Sequence, residues 1–226
     1  MSHEEWAAEV QRDVWEYWDQ EHDDWPYGVK TFYSPVHAET DLLILGFQPG
    51  GDGKSSEHDG DFSTPDTHHY VNSDWDLAEE MQKLFSEHEE VLNNSVASNV
   101  IFFRSPDIDK WDALPSDRRL AIEKFCWNHI EELIYRVDPN VILTVGIRTF
   151  DKVIDRLDLE SKVLEKRGRE RLVVSSAESS PQIVGTMHLT GAQIASEDRT
   201  RLYKRTRELL QENVDNLSFE GRTTGI

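Results

Sequence analysis

A single cysteine, Cys126, in 226 residues excludes an intramolecular disulfide, a Cys-ligated iron–sulfur cluster and a Cys-type zinc knuckle. Lysine is scarce too: 9 Lys and 15 Arg stand against 44 acidic residues, a net charge of -20. So acidic a chain repels nucleic acid in dilute buffer. Concentrated salt screens that repulsion within a few Å and weakens attraction to phosphate as well. Many carboxylates with little lysine is the composition of cytosolic proteins from salt-accumulating halophiles; an ordinary acidic soluble protein is the alternative. No apolar run approaches the roughly 20 residues of a membrane span. The opening Met1-Ser2-His3-Glu4-Glu5-Trp6 has neither the basic nor the apolar region of a leader. The expectation is a cytoplasmic monomer with no membrane partner.

What is present is a pattern of strands alternating with helices. Trp6, Val10, Val14, Tyr17 and Trp18 recur at helical spacing over 3–22, and 27–35 is extended. Short apolar runs mark strands at 42–45, 99–103, 141–145, 171–175 and 182–187. Helices are expected over 75–92, 116–137 (stopped by Asp138-Pro139 and carrying Cys126 as inert core), 149–157 and 197–213. No repeat or linker divides the chain. The expected fold is one α/β domain over 1–226: three α/β/α layers around a short, mainly parallel sheet, with 1–35 as an N-terminal helical extension and 217–226 as a frayed tail.

The run 42–45 feeds directly into Gly46-Phe47-Gln48-Pro49-Gly50-Gly51. A loop at the carboxyl end of a buried strand is where open α/β sheets bind ligands. Gly53-Lys54-Ser55 ends like a phosphate-binding loop, but the glycine required five residues before Gly53 is Gln48. The following 56–66 contains Gly60 and Pro65 and has few apolar residues, so it does not open the helix whose amides would hold phosphates. Nucleotide binding there is the least favoured reading.

Four segments, in order, resemble the uracil-DNA glycosylase superfamily. Gly46-Phe47-Gln48-Pro49-Gly50 looks like its Gly-x-x-Pro-Gly loop. Asn99-Val100-Ile101-Phe102-Phe103-Arg104-Ser105-Pro106 is similar to its Asn-led second strand. Pro139–Gly146 resembles its structural strand, and Thr186-Met187-His188-Leu189-Thr190-Gly191 stands in place of its His-Pro-Ser loop. The resemblance implies base excision from DNA, in the branch without an iron–sulfur cluster, with no metal or cofactor. By that resemblance Gln48 and His188 are catalytic. Gln48 falls where other branches position water with Asp or Asn, and His188 donates to the base oxygen. Asn99 reads the base edge, Gly46, Phe47, Pro49 and Gly50 line the pocket, Phe62 stacks on the base, and Thr190 opens the wedge segment.

Two departures favour an alternative, a non-catalytic member of the fold that binds a base, a nucleotide or a partner protein. Gln48 cannot act as a general base, and Leu189 replaces the usual proline. Plainer readings stand beside each residue: Asn99 as a turn cap, Gln48 as a loop residue, His188 as an ordinary surface histidine. His58, His68 and His69 among Asp52, Asp59, Asp61 and Asp66 suit either a divalent ion or a solvated acidic loop, the latter being expected. The basic residues of 162–171 and 199–207 either meet phosphates or pair with Glu160, Glu165, Glu170 and Glu208.

Overall fold

A computed structural model describes residues 1–21, 25–38, 40–51, 62–190 and 194–218. Helix α1 (His3–Glu21) buries Trp6, Val10, Val14 and Trp18 on one stripe. An extended segment follows, in which Val29 bridges Phe103 and Phe32 bridges Ser98, both antiparallel. Then come β1 (Leu42–Gly46), α2 (His69–Asn72), α3 (Asp76–Leu84), α4 (Glu89–Asn93) and β2 (Val96–Asn99). The chain continues through α5 (Ile108–Asp112), α6 (Ser116–Val137), β3 (Val141–Val145), α7 (Ile147–Leu157), β4 (Ser161–Arg167), β5 (Glu170–Ser176), β6 (Gln182–Thr186) and α8 (Ser196–Ser218).

The strands form one sheet in the order β2-β1-β3-β6-β5-β4. The first four are mutually parallel; β5 and β4 continue the sheet antiparallel. Every residue of β1 and β3 is buried, which is why both are unbroken apolar runs: each has a helical layer on either face. One core, containing Leu43, Leu45, Ile142 and Ile183, is closed by α1, α5, α6 and α7. The other, containing Leu42, Ile44, Leu143 and Val184, is closed by α2, α3, α4 and α8. The architecture is therefore three-layer α/β/α with a mixed, mostly parallel sheet.

Three elements differ from the sequence expectation. The helix expected over 75–92 is broken between α3 and α4, where Phe85 turns into the second core and its N–H bonds back to Met81 O. The second strand is paired over 96–99 rather than 99–103, so Asn99 ends it instead of leading it. Its apolar continuation still bonds β1's exit, through Val100 N–H to Gly46 O and Ile101 N–H to Phe47 O. Strand β4 was not expected, because its charged, mostly solvent-facing residues carry no apolar run. It forms the sheet edge, and its register with β5 slips between Val163 and Glu165 and again before Lys166.

The basic residues of this region and of α8 largely neutralise carboxylates within the chain. Arg167 pairs with Glu170, Arg171 with Asp151, Arg201 with Glu165 and Asp198, and Arg205 with Glu208. A buried member of this system, Glu80 on α3, accepts from Lys83 (2.8 Å), Arg199 (2.7 Å) and the phenol of Tyr203. Burial pushes the Glu80 carboxyl up, but these donors outweigh it and hold the pKa below the usual value. The carboxylate thus ties α8 to α3 across the second layer.

Gly185 sets how closely α7 approaches the sheet. A Cβ there would lie 2.6 Å from Phe150, a fully buried ring of α7. Gly185→Ala therefore forces this helix off β6 and is expected to lower unfolding free energy by about 1–3 kcal/mol. Urea titration at fixed salt measures it; an unchanged midpoint would show that the contact is soft.

Candidate functional site

The sheet register aligns four strand ends. Gly46 pairs with Asn99, Leu45 with Thr144, and Val145 with Thr186, so Asn99, Gly46, Val145 and Thr186 form one row at the carboxyl edge. Side chains in one row share a face, and Val145 assigns this row to the second-core side.

Two glycines open space in that row. A Cβ on Gly46 would lie 2.1 Å from Asn99 Oδ1, so the Asn99 carboxamide extends over β1. A Cβ on Gly146, which has φ +102, would lie 3.6 Å from His188 Cδ2, so the imidazole leans toward β3. The carboxamide of Asn99 thus reaches the end of β1 and the imidazole of His188 the end of β3, which are neighbouring strands. Gln48 follows Gly46 by two residues. Phe47 and Gln48 lie in a bend beyond the strand, where Phe47 packs on the first core and Gln48 buries its Oε1.

Three polar atoms of this edge are buried without a hydrogen-bond partner: Gln48 Oε1, Asn99 Nδ2 and Thr186 Oγ1. Such orphans are uncommon, and each costs about 1–3 kcal/mol. The phenol of Tyr33 lies near the Asn99 carboxamide and feels it, without hydrogen-bonding geometry to Nδ2. Burial raises the Tyr33 pKa and keeps the phenol neutral.

His188 is exposed as a residue, yet the protein packed beside its ring desolvates it and lowers its pKa. Its Nδ1 accepts from the Thr190 N–H at 3.4 Å, with the Thr190 hydroxyl at 3.3 Å. A neutral imidazole accepting at Nδ1 carries its proton on Nε2. Leu189, between them, is buried in the second core and anchors the loop.

The edge thus gathers Gly46, Gln48, Asn99, His188 and Thr190. Pro49 and Gly50 brace the rim: Pro49 O accepts from Ser105 N–H at 3.0 Å, and Gly50 O accepts from Arg104 Nη1 at 2.7 Å. Phe47 is covered rather than offered to a ligand, with the Arg148 guanidinium 4.3 Å above its ring and Trp111 at its edge. Phe62 is placed elsewhere, against α1, with Arg12 over its ring at 5.5 Å. The aromatic side chain beside Asn99 is Tyr33. Sequence reasoning missed it; its only signal was the extended character of 27–35. Gly53-Lys54-Ser55, Asp52, His58, Asp59 and Asp61 lie outside the described residues.

Among the described residues no three His, Cys, Asp or Glu side chains converge on a metal position. His68 is structural. It is buried, its Nδ1 accepts from Tyr70 N–H, and its Nε2 meets Ser95 Oγ at 2.9 Å. Burial, with the nearby charges of His69 and His37, pushes its pKa down to about 4.

Two predictions follow from this geometry. A folded-state pKa depressed from 6.5 to about 4 means that the unfolded chain binds the extra proton. The His68 contribution is then fully present above pH 6.5 and lost as pH falls toward 4, at up to about 1.4 kcal/mol per pH unit. His68→Gln should flatten that part of the stability profile while leaving the loss below pH 4.5, where the depressed Glu80 and Glu132 titrate. Gly46→Ala must displace the Asn99 carboxamide, the mobile end of a side chain, so ligand binding should fall about tenfold or more with a nearly unchanged unfolding midpoint. Equal binding by isothermal titration calorimetry would remove Asn99 from the site. No protein-family model matches the sequence, and no curated protein matches it.

Proposed function

We propose that this chain is a uracil-DNA glycosylase-like enzyme that hydrolyses the N-glycosidic bond of uracil or a related damaged base in DNA. The observation carrying this reading is the pair of buried, unpartnered amide atoms at the carboxyl edge of the sheet, an acceptor on Gln48 and a donor on Asn99, on an edge that also holds a histidine whose neutral form carries its proton on Nε2. A nucleobase edge supplies the complementary groups, an imide N–H and a carbonyl oxygen. Burial of that edge relieves both orphans, and an analogue lacking those groups leaves them unsatisfied, which is the basis of strong discrimination.

The reaction needs little from the protein beyond placement and electrostatics. A base inside a duplex is out of reach, so the nucleotide is extruded or taken from a single strand. As the bond from C1′ to the base nitrogen breaks, its electron pair moves onto the base and charge develops at the carbonyl oxygen. His188 donates from Nε2 to that oxygen. Preorganised donors at developing charge commonly supply the largest catalytic term. Water then adds to C1′ and loses a proton to solvent. Gln48 holds water through its amide oxygen but takes no proton, so turnover is expected to be slow. All these groups are protein groups, and the reading calls for no metal or cofactor. It describes a monomer acting on DNA in the cytoplasm of a salt-accumulating cell, where the net charge of -20 is screened.

Gln48 in place of an ionisable residue favours a second reading, a pocket that binds the base without cleaving it. One assay separates the two. Uracil-containing single- and double-stranded oligonucleotides are incubated with the protein in multimolar potassium chloride, and alkali then reveals abasic sites. Uracil-dependent cleavage that drops at least a hundredfold in His188→Ala supports the glycosylase. Cleavage unaffected by that substitution sinks the role given to His188. A folded protein that binds the oligonucleotide and never cleaves it favours the binding module.

A further inference from the structure

In a chain with 44 acidic residues, many described cations are paired with carboxylates, but one group has none among the described residues. Lys30 and Arg104 lie on neighbouring extended segments, joined by the Val29–Phe103 bridge and by Lys30 N–H to Phe102 O and Arg104 N–H to Gly28 O. The Lys30 ammonium stands 5.6 Å over the Tyr33 ring. The His69 ring meets Tyr33 edge-on at 6.1 Å, and the His69 backbone N–H donates to Tyr33 O. Arg104 bonds Gly50 O at the rim of the Gln48 loop. All three side chains are half-buried. Among the described residues no carboxylate pairs with any of them.

Their charges oppose one another. Burial, then the charge of Arg104, lowers the Lys30 pKa to about 8, and burial, then the charge of Lys30, lowers that of His69. A half-buried ammonium beside a guanidinium, with an imidazole on the same tyrosine ring, gains from an anion placed among them. Their common neighbour Tyr33 adjoins Asn99, so that anion lies beside the pocket.

We propose that Lys30, His69 and Arg104 hold a phosphate of the DNA strand next to the nucleotide whose base enters the Gln48–Asn99–His188 pocket, an assignment that rests on the reading of that pocket given above. A free phosphate offers the same chemistry. The strand is favoured by Trp75, which packs on the same Tyr33 at 5.7 Å and keeps 41% of its surface exposed, offering a ring face to an adjoining base. A base stacked on an aromatic side chain and a phosphate on a neighbouring cation is the usual way a single strand is held.

The test uses a fluorescent, uracil-free oligothymidylate and the full chain, with anisotropy recorded over a potassium chloride series in which circular dichroism shows the fold intact. Lys30→Gln and Arg104→Gln are each expected to raise Kd about tenfold and to reduce the slope of log affinity against log salt by about 0.7, the value for one phosphate contact on a single strand. Lys83→Gln, which removes an ammonium paired with Glu80, should change neither. Trp75→Ala should weaken the oligonucleotide without altering the salt slope. Wild-type Kd and slope in both Lys30→Gln and Arg104→Gln overturn the proposal. So does Lys30-dependent thermal stabilisation by inorganic phosphate in a protein whose oligonucleotide binding ignores Lys30. The probe contains nothing to excise, so a Lys30-dependent slope in a protein that never releases uracil removes the glycosylase reading alone.

Discussion

A strand covered on both faces has no side to give to water, and that constraint organises this molecule. In β1 and β3 every residue is buried, and the one polar side chain within them, Thr144, donates its hydroxyl to Val184 O of the neighbouring strand. The parallel register then brings the ends of four strands to one row, and the helices packed on each face fix that row. Gly185 lets α7 close onto the sheet from one side, and the Glu80 carboxylate draws α8 toward α3 on the other. What remains at the carboxyl edge is a short line of polar side chains on a rigid base.

The parts of this arrangement legible in the sequence are those written in local order. The runs 42–45, 141–145 and 182–187 read as strands because short apolar stretches dominate them, and Asp138-Pro139 ends α6 with an aspartate at φ +47. Gln48, Asn99 and His188 stood out because each directly follows or joins an apolar run. The rest depends on contacts between distant residues. Asn99 ends its strand because 96–99 pairs with 43–46, which no local pattern specifies. Tyr33 and Lys30 belong to the site because 29–32 pairs with 98–103, well over 60 residues later in the chain. Phe62 resembled a stacking residue by its place in the sequence, but the fold lays it on α1. Strand β4 hid because an exposed edge needs only one apolar side, and here that side offers little beyond Leu164, with charged neighbours around it.

Charge is distributed by the same logic. The basic residues of β4, β5 and α8 bind their own layer together through local ion pairs, each worth little alone when exposed. Backbone pairing brings Lys30 and Arg104 together near Tyr33, with no carboxylate partner among the described residues. A strongly acidic protein thus keeps a small positive surface where its strand ends open, and local placement matters there more than the total.

The slipped register of β4 bears on how the molecule stays separate from its copies. An open sheet edge invites another edge, and proteins commonly defend it with charged side chains. Lys162, Glu165 and Lys166 provide such charges, but their reach shrinks to about 3 Å at molar salt. The irregularity between Val163 and Lys166 works by shape instead: it disrupts the even spacing of amides and carbonyls that an incoming strand would have to match. That protection is independent of ionic strength, which leaves the edge guarded in brine as well as in dilute buffer.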